Sequence, residues 1–200
     1  MTNHQETDVG SQLPDGIASD ILARFSERLA AVSGHVAVAR TIDEAAQAIV
    51  TRAGERETQQ VIAAAELTEA LPALRAAVES AGVTWHIPLT FADTRDAPLG
   101  LSLGRLAVAE TGSVLLAETS LKDRAVGLLA AAQMIICPIS LLVPTLAEAT
   151  SVLVAMSTRG AYTSFVTGPS RTADIERELT VGVQGPAEVH VLFIADQLAP

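Results

Sequence analysis

The sequence predicts an α/β domain built on an open, mainly parallel sheet flanked by helices. Three observations point there. Stretches with strand character alternate with stretches of helical spacing along the 200 residues. The chain is 49% hydrophobic but only 3% aromatic, so its interior is Ala, Val, Leu and Ile, which suits helices lying on buried strands. Mean hydropathy is +0.36, and a chain of this length can bury a sizeable core.

Residues 1–14 are polar, with Gly and Pro, and read as a disordered tail ahead of one domain over 15–200. Residues 15–32 place Ile17, Ile21, Leu22, Phe25, Leu29 and Val32 at helical spacing. "HVAVAR" is a short strand. The Ala-rich run 42–56, with Asp43 near its start, is a helix. "QQVIAAAEL" reads as a strand. Residues 68–82 read as one helix, with Thr68 as N-cap and Gly82 at its end. "VTWHIPL" follows as a strand. In the second half "GSVLLAE" is a strand, "MIICPISLL" a buried strand, and "PTLAEATSVLVAMS" a helix. Then come "YTSFVTG" as strand, "SRTADIERE" as a short helix over 170–178, and "EVHVLFIAD" as the closing strand.

Composition narrows the function. The formal net charge of −10 argues against nucleic acid and against an anionic membrane surface, since both need clustered Lys and Arg. The single cysteine, Cys137, sits in an apolar run and reads as a small buried hydrophobe. One thiol builds neither an iron–sulfur nor a zinc site, and no cofactor or metal is expected. No segment reads as a signal peptide, and no apolar run approaches the ~20 residues of a bilayer span, so a cytoplasmic location is expected.

Ligands of open α/β sheets bind beyond the carboxyl ends of strands, and two segments fall there. In "TGPSRTADIE" Gly168 frees the backbone to turn, and Ser170 or Thr172 can cap a helix. The free N–H groups of such a helix start favour an anion, and Arg171 adds a positive charge. The same pattern also describes a capped helix with nothing bound. In "AETGS" Glu110 precedes Thr111, Gly112 and Ser113. Its carboxylate could be a base, a nucleophile or a hydrogen-bond anchor, or lie in solvent on a polar turn. The candidate ligand-binding residues are therefore Glu110, Thr111, Gly112, Ser113, Gly168, Ser170, Arg171, Thr172 and Asp174, with Glu110 the candidate catalytic group. Glu110 is expected to face the Ser170 loop. Arg105, five residues away, would favour its ionised form if the chain turns back. His4, His35, His86 and His190 have no partner at motif spacing and read as structural. Asp93, Asp96 and Asp123 read as solvated loop residues.

Taken together, "AETGSVLL", "DRAVGLLAAAQMIICP", "VPTLAEA", "TGPSRTADIE" and "GVQGPAEVHVLFI" resemble the lactate-utilisation (LUD) domain family, and within it the lactate-utilisation protein C type. The motifs span residues 97–195. The resemblance implies a fold like the ribose-5-phosphate isomerase and CoA-transferase group, and a cytoplasmic, non-redox part in oxidising lactate to pyruvate beside two iron–sulfur partner proteins. It also implies three departures: Arg105 stands where Asp is frequent, and Gln133 and Gln184 where His is frequent. Gln cannot titrate, so a proton-accepting role at either position is lost while neutral hydrogen bonding survives. The leading expectation is an accessory component that binds a small anionic ligand (carboxylate or phosphate), the iron–sulfur partners, or both. The alternatives are a stand-alone isomerase or acyl/CoA-transfer enzyme using Glu110, and a purely structural interaction protein.

Overall fold

The computed structural model describes residues 19–157, 161–172, 180–181 and 185–195. The tail 1–14, His4, Asp174, Gln184 and most of the helix expected over 170–178 lie outside the described residues. In chain order the elements are α1 (Ser19–Ala30), β1 (His35–Ala39), α2 (Ile42–Glu55), β2 (Gln60–Ala63), α3 (Ala65–Ala70), α4 (Pro72–Ser80), β3 (Thr84–His86), β4 (Gly100–Leu103) and β5 (Leu106–Val108). They continue with β6 (Ser113–Glu118), α5 (Leu121–Leu129), β7 (Ala132–Pro138), β8 (Leu142–Val143), α6 (Ala149–Ser157), β9 (Tyr162–Val166), β10 (Arg171–Thr172), β11 (Thr180–Val181) and β12 (Glu188–Ile194).

Six strands form the expected sheet, in the order β1-β12-β7-β4-β2-β3, and every pairing in it is parallel. Its central strands are almost entirely buried. All seven residues of β7 are buried, as a sheet covered on both faces requires. Alternate residues of β12 serve different layers. Leu192 and Ile194 join the core under α2 and α4, with Ala45, Ile49, Leu74 and Val78. Val189, Val191 and Phe193 join Leu22, Phe25 and Leu29 of α1 on the other face. There Phe25 meets Phe193 edge-on, with ring centroids 5.1 Å apart.

A second sheet, in the order β8-β5-β6-β9, was not anticipated. It forms because two strands overrun the parallel sheet. Past β4 the chain continues through Gly104 and Arg105 into β5, and past β7 a 3-10 turn over Ile139–Leu141 leads into β8. The run "MIICPISLL" is therefore two strands in two sheets, divided after Pro138. β5 and β6 form an antiparallel hairpin, and β6 pairs antiparallel with β9.

Four local expectations need correction. The strand expected over 59–67 stops at Ala63. The helix expected over 68–82 is two helices, because Pro72 opens α4 at its first turn, where its missing N–H costs nothing. Thr68 is no N-cap: it lies in α3, buried, donating to the Ala64 carbonyl and accepting from Trp85 Nε1 at 2.9 Å. Nor does a helix begin at Ser170, since Arg171 and Thr172 are extended and pair antiparallel with Val181 and Thr180.

Thr68→Val keeps the shape but leaves the Trp85 N–H without its buried acceptor. It is expected to cost about 1–3 kcal/mol of stability. Urea denaturation followed by the fluorescence of Trp85, the only tryptophan, measures this.

Candidate functional site at the carboxyl edge of the parallel sheet

The first cluster is built by the two turns singled out in the sequence. The hairpin register opposes Val108 to Ser113, and the Gly112 N–H returns to the Val108 carbonyl at 2.9 Å. Pairing of Val114 with Val166 then brings the Ser113 and Thr167 hydroxyls to 2.6 Å. Gly112 and Gly168 both take positive φ, +67° and +73°, and both press on α1 and the turn after it. A Cβ at Gly112 would stand 2.6 Å from the Leu29 backbone nitrogen, and one at Gly168 would stand 2.7 Å from a Val32 methyl. Arg171 donates to the Ser33 hydroxyl at 3.0 Å, and the Ser170 N–H is taken by the Pro186 carbonyl. Residues 112–113 and 168–171 thus come together around the carboxyl end of α1. The helix dipole invoked for Ser170–Thr172 does not exist at these residues.

Glu110 is exposed, and its carboxylate accepts the Leu146 N–H at 2.9 Å. That holds the start of the 3-10 turn Leu146–Glu148 ahead of α6. The expected neighbour Arg105 is elsewhere. It stands just before β5 while Glu110 lies beyond its far end, and Arg105 pairs with Glu66. The Thr111 hydroxyl is sealed from solvent with no partner among the described residues.

A second cluster lies where the connections leaving β2 and β4 diverge, β2 leading to β3 on one side and β4 to β7 on the other. Such a switch point is where open α/β sheets take ligands. Asp123 is only 2% exposed, against the solvated role expected for it. It accepts the Ala65 and Glu66 N–H groups at 2.8 and 3.4 Å and so caps α3 from α5. Glu66 accepts the Thr119 N–H and hydroxyl at 3.1 and 2.7 Å as well as Arg105. Burial works to raise the Glu66 pKa, but the hydrogen bonds from Thr119 and Arg105 outweigh it and hold the carboxyl below its ordinary range. Glu118 has the opposite fate. Its Oε2 is sealed from solvent without a partner. Burial first, then the charge of Glu66, push its pKa up to about 7 against an opposing pull from Arg124, with a lesser push from Asp123. The guanidinium of Arg124 lies over the Tyr162 ring, 3.4 Å from its centroid.

Elsewhere the polar groups are structural. Gln133 donates to the Ser102 hydroxyl at 3.2 Å, the neutral bonding its amide permits. His35 and His190 stack at 4.7 Å. Burial and Arg52 draw the His190 pKa down to about 4 against its Glu188 partner, so it stays neutral. Burial pushes the Cys137 thiol up to about 12. Among the described residues no three His, Cys, Asp or Glu side chains group as metal ligands, and no helix is long and apolar enough to cross a membrane. An open and largely apolar groove of about 960 Å³ runs along Leu141, Val143, Val152 and Val154 and carries the carboxylate of Glu148, bonded to Thr145.

The comparisons with known proteins fall on this framework. The LUD domain family profile matches residues 22–194. The chain belongs to the LUD domain family. This LUD domain is 40% identical over 105 residues to lactate utilization protein C 1 of Bacillus mycoides strain KBAB4, covering 50% of the chain and 45% of that protein. It is 33% identical over 105 residues to lactate utilization protein C of Bacillus licheniformis, covering 50% and 44%. The corresponding protein of Bacillus subtilis strain 168 is 31% identical over the same length, covering 50% and 44%. The LUD domain spans about half the length of the curated relatives it matches. A crystal structure of a DUF162 family protein from Deinococcus radiodurans superposes with a TM-score of 0.67, covering 90% of this chain and 99% of that one at 19% identity. That likeness shows the fold.

Sequence reading missed Glu66, Glu118 and Arg124. One signal was present: "AET" occurs twice, at 109–111 and 117–119, before and at the end of β6, and only the first copy was singled out.

Two expectations follow. Gly112→Ala must relieve both a positive φ and a backbone clash, so it should lose more than about 2 kcal/mol, read from urea denaturation. Glu118 holds its proton more tightly folded than unfolded. Its contribution is therefore complete below its ordinary pKa of 4.5 and is lost as pH rises through about 7. Glu118→Gln should gain on the order of 1–2 kcal/mol over the wild type at alkaline pH, a figure discounted for partial exposure, and little in acid. Thermal melts across that range would show the two proteins diverging as pH rises.

Proposed function

We propose that this LUD domain is a cytoplasmic, non-redox component of lactate (2-hydroxyacid) oxidation to pyruvate, working beside iron–sulfur partner proteins. The observation that carries this reading is the similarity over 105 residues to proteins named lactate utilization protein C. The chemistry of the chain supports it. Its one cysteine is buried in β7 with a thiol pKa near 12, so it offers no thiolate to a cluster at neutral pH, and the electrons belong to the partners. A small anionic ligand is assigned to the exposed rim of the turn cluster. Arg171 supplies the positive charge there and Ser170 a hydroxyl, while Ser113, bonded to Thr167, and Gly112 and Gly168, pressed on α1, hold the two turns in place behind them. Glu110 serves in this reading as the brace of the Leu146 turn. An acyl-transfer role would fall to its other oxygen, Oε1, the one that Leu146 does not hold.

Deleting the gene should abolish growth on lactate as sole carbon source while sparing growth on glucose, and the wild-type gene should restore it. Normal growth of the deletion strain on lactate would refute the role. The purified chain should show no visible absorption band and should not oxidise lactate alone. A stoichiometric chromophore would place redox chemistry here after all. Incubation with acyl-CoA thioesters followed by intact-mass measurement should leave the protein unmodified. An adduct that disappears in Glu110→Gln would instead establish an acyl-transfer enzyme.

A further inference from the structure

Glu118 and Tyr162 are directly opposed across the β6–β9 pairing, and Arg124 reaches from α5 onto the face of that tyrosine. Among the described residues, the charged groups that act on Glu118 come from three stretches. From α3 comes Glu66, held by Thr119 and Arg105. From the stretch between β4 and β5 comes Arg105, committed to Glu66. From α5 come Asp123, committed to two backbone N–H groups, and Arg124. Among the described residues Arg124 is in no ion pair, and its Nε is sealed without an acceptor. Glu118 likewise has a sealed oxygen with no donor. A protonated carboxyl tolerates that isolation. An ionised one, beside two other carboxylates, does not. The attraction between full charges in a half-buried place exceeds that between a cation and a ring face.

We infer that Glu118, Arg124 and Tyr162 form a proton-operated latch between the two sheets. With the proton on Glu118, Arg124 rests on Tyr162 and ties α5, which packs on the parallel sheet, to β9 of the second sheet. When the proton leaves to solvent, the carboxylate draws Arg124 away from the ring and the tie between α5 and β9 is lost. The latch is independent of the role in lactate utilisation. It would make the carboxyl edge responsive to pH in the neutral range, where the Glu118 proton is exchanged.

Tyr162 and Trp85 are the only tyrosine and tryptophan in the chain, so each ring reports without assignment. In the full-length protein carrying 13C-labelled tyrosine and tryptophan, Tyr162 ring shifts are followed from about pH 5.5 to about pH 8.5. The expected result is one inflection with a midpoint near 7, with Trp85 unmoved. Glu118→Gln should hold the acidic-form shifts throughout, and Arg124→Gln should show no inflection, with the shifts of a ring lacking its cation. A flat wild-type profile overturns the latch. So does an inflection that survives in Glu118→Gln, or one that Trp85 shares, since the latter reports a global transition. The wild-type titration with its Trp85 control decides the matter even if a variant fails to fold.

Discussion

A parallel sheet must be covered on both faces, and this chain makes part of the second cover from the sheet's own strands. β4 and β7 do not turn back at the carboxyl edge. They run on into β5 and β8 and, with β6 and β9, raise a second sheet there. α1 is caught between that sheet and β12, with Leu29 and Val32 under the two positive-φ glycines. A chain with so few aromatics fills its interior with small side chains, and such a core needs close approach of backbones. Glycine at 112 and 168 supplies that approach where the second sheet meets α1.

The overrun also explains the electrostatics. The edge of an open α/β sheet normally faces water. Here it is half-roofed, so carboxylates that would be solvated at a bare edge must find donors inside. Asp123 and Glu66 do so through the start of α3, Thr119 and Arg105. Glu118 does not, and keeps its proton instead. Glu66 and Glu118, brought together by the fold from distant parts of the chain, are therefore shifted in opposite directions, set by partners rather than by sequence neighbours. The same contrast separates the two copies of "AET". Glu110 caps a turn in solvent, whereas Glu118 is left without a donor under the roof.

What the sequence disclosed follows from how local each signal is. β7 and β12 were legible because their apolar runs are continuous, and α2 because its Ala-rich run opens on Asp43, a local pattern that the structure completes with Thr41 accepting the Glu44 N–H and Glu44 accepting the Arg40 N–H. β4, β5 and α5 were missed: the strands are short and follow one another with only Gly104 and Arg105 between. Thr68 looked like a cap because capping is a local pattern, while its true partner, Trp85, lies seventeen residues on. Ser170–Thr172 looked like a helix start because a capped turn and a short strand share residue preferences until the pairing with Thr180 and Val181 is known. The two turns singled out in the sequence lie beside each other, but that both press on α1 was not anticipated. The buried acids were not, since burial is a property of the whole fold.

The position of β12 bears on how the chain is made. Among the described residues β12 comes last in sequence, yet it is not at an edge but lies between β1 and β7, pairing residues 35–39 with 190–194. On a ribosome β1 has no neighbour to join until the final strand emerges, and β7 waits with one side unpaired. Closing so long a loop is entropically costly and slow, and unpaired apolar edges invite association with other chains in the meantime. The nascent protein should therefore depend on holding factors until synthesis of residues 188–194 is complete, and truncation within that segment should remove the parallel sheet's central staple rather than trim its margin.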